Sequence, residues 1–229
     1  MPDIELVIFD CDGTLMDSEM IAASVETDAM KPYGIEMTPR EFVARFAGTS
    51  SETFKAAMEQ ELGRSLPDDH TKNIRNALNE RLWREVKAIE GAQSVLDMFD
   101  QPRCICSNAP LEKLKIELTR GELWDRFRPY VFSAHELGVS KKPAPDVFLH
   151  AAKEFDVEPT ACLVLEDSFS GITAARAAGM RAVGFTGGSH AWDSLADQLT
   201  EAGAETVINR LVDLPAVIEV FGEWHGLDG

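Results

Sequence analysis

The stretch IELVIFDCDGT, residues 4–14, decides the fold. IELVIF (4–9) is a short apolar run that ends in two acids and a glycine, and it reads as a buried strand. The pattern after it is of another kind. From about Asp17 to Val86 the chain is helical throughout, with no strand rhythm. DSEMIAASVETDAM gives one helix, stopped near Pro32 and Gly34. Thr38-Pro39-Arg40-Glu41 is a capping box with proline at the first helical position, and Thr49 to Glu52 is a second one. Phe54, Ala57, Met58 and Leu62 mark the face of the next helix. Ile74, Leu78, Leu82 and Val86, at steps of four, mark the last.

After Gly91 helices and short β-rich runs alternate. The strand candidates are RCICS (103–107), YVFS (130–133), ACLVLE (161–166), RAVGF (181–185) and ETVI (205–208), with helices over 110–119, 145–155, 170–178 and 190–202. That alternation means a parallel sheet covered on both faces, and IELVIF belongs to it by composition. The expected architecture is α/β: a doubly wound, Rossmann-like core formed by 1–15 and 88–229, with an all-helical cap inserted at 16–87. Two passages, near Leu15–Asp17 and Lys87–Gly91, join the parts.

Composition narrows the function. The 229 residues carry a formal charge of −17, which argues against nucleic acid or an anionic membrane as partner. No run approaches the roughly 20 apolar residues of a membrane helix, and the acidic start MPDIE is no signal peptide. Cys11, Cys104, Cys106 and Cys162 show no paired spacing and read as reduced core thiols, so a cytoplasmic location is expected. The five histidines, His70, His135, His150, His190 and His225, have no ligand spacing and read as surface or structural residues.

In open parallel sheets, ligands bind beyond the carboxyl ends of the strands. The first strand ends in Asp10-Cys11-Asp12-Gly13-Thr14, the second in Ser107-Asn108, and the fourth in Glu166-Asp167-Ser168; the loop after the third holds Lys141-Lys142-Pro143. Two carboxylates ~4 Å apart repel by about 4 kcal/mol at an effective dielectric near 20. A cluster of Asp10, Asp12, Glu166 and Asp167 therefore calls for a cation, and an all-oxygen set without histidine suits Mg²⁺. Ser107 and free backbone N–H groups can hold phosphate oxygens, and a lysine supplies countercharge. Lys142 is chosen over Lys141 because it directly precedes Pro143. Each piece also has a plainer reading: Asp-Gly is a turn, Ser107-Asn108 before Pro110 a helix cap, and Ser168 the cap of the helix after it.

DCDGTL (10–15), SN (107–108), KPAPD (142–146) and LVLEDSFSGITAARAAGM (163–180) together resemble the four motifs of the haloacid dehalogenase superfamily, in order, and the helical insertion resembles that superfamily's small cap. The resemblance implies a nucleophilic Asp10 that forms an aspartyl-phosphate, and Asp12 as general acid and then base. It implies Ser107, Asn108 and Lys142 on the phosphoryl group, Mg²⁺ at Asp10, Asp12 and Asp167, and Glu166 as a water-mediated ligand or supporting partner. An acid at Asp12 argues against dehalogenation. Ala22 and Ser51, where β-phosphoglucomutases carry histidine and arginine, argue for hydrolysis over mutase activity. The expected function is Mg²⁺-dependent hydrolysis of a small phosphorylated metabolite, a sugar phosphate or phosphorylated sugar acid, by a monomer or weak homodimer. The alternatives are a phosphomutase and a non-catalytic sugar-phosphate sensor. Substrate selection is expected from the cap loop at Arg45, Gly48, Thr49 and Ser50; Arg45, like Lys55, also has the plainer reading of a solvated residue.

Overall fold

The structure, a computed structural model, describes residues 3–46, 49 and 51–223. Six parallel strands form one sheet: β1 (Leu6–Phe9), β2 (Arg103–Ser107), β3 (Val131–Ser133), β4 (Cys162–Glu166), β5 (Arg181–Phe185) and β6 (Thr206–Ile208), in the order β3-β2-β1-β4-β5-β6. All six runs anticipated from sequence are strands, trimmed by one or two residues at some ends. Strand β1 lies at the centre, with Val7 facing Arg103 of β2 and Leu163 of β4. The chain builds outward from β1 through β2 and β3, then returns to the other side for β4 to β6. The strand order thus reverses beside β1, at its boundary with β4, where open sheets leave a crevice at their carboxyl edge.

Side chains alternate across β1. Val7 and Phe9 join one buried apolar cluster with Leu114, Leu118, Phe127 and Leu214, while Leu6 and Ile8 join the other with Phe148, Ile172 and Leu199. Between β1 and β2 run α1 (Glu19–Met30), α2 (Pro39–Phe46), α3 (Ser51–Leu62), α4 (His70–Glu85) and the single turn α5 (Ala92–Val95). The sheet is then covered by α6 (Leu111–Arg120), α7 (Trp124–Phe127), α8 (Ala134–Leu137), α9 (Asp146–Phe155), α10 (Phe169–Ala177), α11 (Leu195–Glu201) and α12 (Leu214–Glu223). Helix α11 is shorter than the helix expected over 190–202, because residues 190–194 turn back toward the sheet edge instead.

The helices of 19–85 hold a small cluster of their own, formed by Met30, Ile35, Phe54, Met58 and Leu66. Phe42 and Phe46 of α2 meet Phe54 edge-on, with ring centroids 4.8 and 5.0 Å apart. The capping box at α2 forms as its spacing requires: the Thr38 N–H donates to Glu41 Oε2 (2.7 Å) and the Glu41 N–H to Thr38 Oγ1 (3.2 Å). The Thr49 hydroxyl instead donates to the Phe46 carbonyl (2.7 Å), and the side chain of Glu52 lies outside the described residues. The two joining passages pair with each other: the Asp17 N–H donates to the Lys87 carbonyl and the Ile89 N–H to the Leu15 carbonyl, each at 2.9 Å. All four cysteines are free and buried. No helix among the described residues is long and apolar enough to cross a membrane.

Candidate active site

Asp10 is the first residue past β1. Its N–H still donates to the Leu165 carbonyl (3.0 Å), so the β1–β4 ladder fixes its backbone one step beyond the strand. Its carboxylate accepts from Lys142 Nζ (2.6 Å), and that ammonium also donates to Glu166 Oε1 (2.8 Å) and the Cys106 carbonyl (2.7 Å). All three donor positions of the buried lysine are used. The Asn108 side chain holds the Lys142 backbone from both sides: Oδ1 accepts from the Lys142 N–H (2.8 Å) and Nδ2 donates to its carbonyl (3.3 Å). Buried Ser107 accepts from the Ala109 N–H (3.0 Å), which fixes the turn at the end of β2.

Glu166 ends β4. Its second oxygen accepts from the N–H and the hydroxyl of Ser168, both at 2.8 Å, and that hydroxyl caps α10 by accepting from Gly171 N–H (3.0 Å). A Cβ at Gly171 would fall 1.8 Å from Glu166 Oε1, so only glycine leaves room for this carboxylate. Asp167 accepts from the Thr14 hydroxyl (3.3 Å) and pairs with His190 Nε2 (2.9 Å). The turn at 188–191, closed by Ala191 N–H to the Gly188 carbonyl, delivers His190 there. The Asp12 carboxylate accepts from the Ser18 hydroxyl (2.6 Å) and from Lys113 of α6, which also reaches fully buried Glu117 (3.4 Å).

The sequence reading did not contain Lys113, Glu117, Ser18, Glu19 or the His190–Asp167 pair as parts of the site. Lys113 and Glu117 sit four apart on an amphipathic helix and look like a solvated pair. His190 had a findable signal, because it follows the end of β5 as the other site residues follow β1, β2 and β4.

The electrostatics are those of crowded carboxylates. Burial, and then Glu166, Asp167 and Asp12, push the Asp10 carboxyl above the usual carboxylate range against the pull of Lys142. Burial also raises Asp167, opposed by His190. Asp12 is buried too, but Lys113 and the hydrogen bonds on its carboxylate outweigh that and hold it low. Burial and the Asp12 charge raise Glu19 to about 7. Burial disfavours the charge on Lys142, yet Asp10 and Glu166 raise it above the ordinary lysine range. Among the described residues, no three His, Cys, Asp or Glu side chains converge as a ready-made metal cage. Of the four expected ligands, Glu166 is held by Lys142 and Ser168 on its two oxygens, and Asp167 by Thr14 on Oδ1 and His190 on Oδ2. Asp12 takes Ser18 and Lys113 on Oδ1, and Asp10 takes Lys142 on Oδ1.

A cavity of about 560 Å³ opens from Asn108, Lys113 and Lys142 and runs up against α1 to α4. Thr49 and Lys55 line it. Arg45 is not among the lining residues; it is exposed, 3.7 Å from Glu61. Gly48 and Ser50 lie outside the described residues.

The profile of the haloacid dehalogenase-like hydrolases matches residues 4–179, and the chain belongs to that family. It is thereby an enzyme, a hydrolase. The 6-phosphogluconate phosphatase of Escherichia coli K12 is 32% identical over 191 residues, covering 83% of this chain and 86% of that one. A solved haloacid dehalogenase-like protein of unknown function from Agrobacterium tumefaciens is 46% identical, with a TM-score of 0.89 over 96% of this chain and all of its own. A hydrolase of the family from Deinococcus radiodurans, solved with bound phosphate and sodium, is 28% identical, with a TM-score of 0.80 over 97% of this chain and 98% of that one.

Proposed function

We propose that the chain is a Mg²⁺-dependent phosphatase of small phosphomonoesters, with residues 16–87 as a cap over the site. The observation that carries the reading is the buried Asp10–Lys142–Glu166 bridge at the strand-order reversal, with Asp12 and Asp167 beside it and a cavity large enough for a sugar phosphate above. Asp10 attacks phosphorus; the new Oδ–P bond forms as the ester P–O bond breaks, and the leaving oxygen takes a proton from Asp12. Water then attacks the aspartyl-phosphate and gives a proton to Asp12, and the P–Oδ electron pair returns to Asp10. In the arrangement described, Asp12 is ionised against Lys113, the state of the base; its acid role requires the proton and release from that ammonium. Lys142 holds Asp10 in place and offsets charge on the phosphoryl oxygens. Ser107 and the backbone at Asn108 face the same oxygens.

The donor set fits a hard divalent ion. Asp10 and Asp167 are carboxylates raised by burial and by their acidic neighbours, which a cation would offset. They would hold it with the Asp12 carbonyl, and Glu166 would support it without direct contact. Bound there, Mg²⁺ supplies charge neutralisation for the transferring group. Ala22 lines the cavity where a mutase carries its histidine, which supports hydrolysis as the outcome.

The test is phosphate release from a panel of hexose, pentose, glycerol and nucleoside phosphates and phosphorylated sugar acids in Mg²⁺, with Asp10→Asn as the blank. Turnover is expected to fall by more than about a thousandfold in the variant. It is expected to stop in EDTA and return with Mg²⁺. A variant that keeps a tenth of the activity overturns the nucleophile, and full turnover in chelator overturns the metal.

A further inference from the structure

The cavity does not end at the phosphoryl group. Its outer wall is formed by Phe42, Phe46 and Phe54 together with Lys55, His70 and Arg75, all on the helical insertion. Five lysines and arginines line the cavity, of which Lys113 and Lys142 are paired with carboxylates at the sheet edge; on the helical insertion the lining carries Lys55 and Arg75, with Glu19 and Glu26 on α1. The two ends are electrically distinct. The charges acting most strongly on Asp10 are Lys142, Glu166, Asp167 and Asp12, whereas those acting on His70 are Lys55, Glu59 and Asp69.

The outer end also has unused bonding capacity. His70 is only 7% exposed, yet its Nε2 is buried with no hydrogen-bond partner among the described residues. A polar atom left so has given up water without return unless something else fills the place. Lys55 reaches Glu59 only loosely, at 3.8 Å, and Arg75 has no hydrogen-bond or ion-pair partner among the described residues. Two cations and an unpaired imidazole thus share one wall of a cavity whose opposite end takes a phosphoryl group.

We infer that this wall is a subsite for a second anionic group on the same substrate. The preferred ester carries a carboxylate or a second phosphate at the end opposite the phosphoryl group that is transferred. Lys55 and Arg75 supply the charge and His70 Nε2 a hydrogen bond. The aromatic trio packs against the carbon chain between. This assignment rests on the phosphatase reading for the inner end only. It moves recognition from Arg45 of α2 to the facing sides of α3 and α4.

Three esters on one six-carbon frame separate the possibilities: glucose 6-phosphate, 6-phosphogluconate and glucose 1,6-bisphosphate. Their kcat/KM values are measured in Mg²⁺ for the wild type and for Lys55→Met and Arg75→Ala, with thermal melting as the check on folding. A charged ester is expected to exceed glucose 6-phosphate at least about tenfold, a factor worth about 1.4 kcal/mol. That ratio is expected to collapse toward one in both variants. Which charged ester leads tells carboxylate from phosphate. Equal values in the wild type, or a ratio that survives both substitutions, overturn the subsite. Calorimetric binding of the same three esters to Asp10→Asn protein, with and without Arg75→Ala, reads the wall without turnover. Preferential binding of a charged ester that Arg75→Ala removes, when the wild type hydrolyses none of the three, leaves the subsite standing and overturns the phosphatase. Binding without preference overturns the subsite whatever the turnover.

Discussion

The carboxyl edge of the sheet and the inner wall of the helical insertion face each other across one cavity, but they are built on different terms. At the sheet edge, Asp10, Ser107 and Glu166 end or follow strands whose residues are almost all buried and locked in ladder register. Their oxygens meet partners at 2.6–3.0 Å. The wall of α2 to α4 is a set of helix faces around an aromatic knot, and Lys55, His70 and Arg75 there have loose partners or none among the described residues. The groups to which the proposed reaction assigns the chemistry are pinned by backbone on several sides, as a reaction that tolerates little displacement requires. The groups proposed to recognise the rest of a substrate stand on helix faces, where substitution is expected to change selectivity at little cost to the fold.

The contrast breaks most visibly at Lys142. Lys142→Met leaves Asp10 and Glu166 buried and facing each other. It is expected to cost about 3 kcal/mol in urea unfolding and at least about a hundredfold in kcat. A variant as stable as the wild type would show that the bridge does not organise the edge. A pair of glycine substitutions sharpens the same point. Gly13 and Gly34 both have positive φ, +73° and +84°, but a Cβ at Gly13 would fall 2.0 Å from Asp167 Oδ2, while at Gly34 it meets open space. Gly34→Ala, in the insertion, is expected to cost about 1 kcal/mol from backbone strain alone. Gly13→Ala adds the displacement of Asp167 and is expected to cost about twice as much, with a fall in turnover; equal costs and intact turnover would contradict the close packing at the edge.

The smallest expected effect is at His70. Burial, then Lys55, depress its pKa, with Glu59 and Asp69 pulling the other way. The unfolded chain therefore takes up the proton first as pH falls. The stability contributed by the neutral ring is present above the unfolded value, near 6.5, and is lost as pH drops through the folded one. His70→Gln is expected to remove roughly a degree or two of the fall in Tm between about pH 7 and 5. An unaltered slope would show that the ring titrates as in water.

The sheet was legible because its strands are covered on both faces. Such strands appear in sequence as compact apolar runs, and the rule that ligands sit past their carboxyl ends leads directly to Asp10, Asp12, Ser107, Glu166 and Asp167. Lys142 needed the family motif as well, since a lysine in a loop is ordinarily solvated. His190 was missed because 190–202 scans as one helix, and the turn that carries it to Asp167 pays in tertiary contact for the helical residues given up. Lys113 and Glu117 were missed because i, i+4 charge pairs are usually exposed; here α6 packs beneath α4 and buries them. In the insertion, the sequence offered Arg45 as a substrate contact or a solvated residue and read Lys55 as solvated, while the fold lines the cavity with Lys55 and leaves Arg45 exposed near Glu61.

The sequence by itself determined the order of strands and helices, the place of the insertion after β1, and the residue types gathered at the sheet edge. Those follow from local periodicity and from a backbone that leaves each strand in a fixed direction. Only the tertiary structure decided that Lys142 spans two carboxylates, that Asp12 is held by Lys113, and that His190 meets Asp167. It also decided which face of each inserted helix lines the cavity. A helix carries side chains in every direction, and which of them meets the site is set by how it packs on elements far away in the chain.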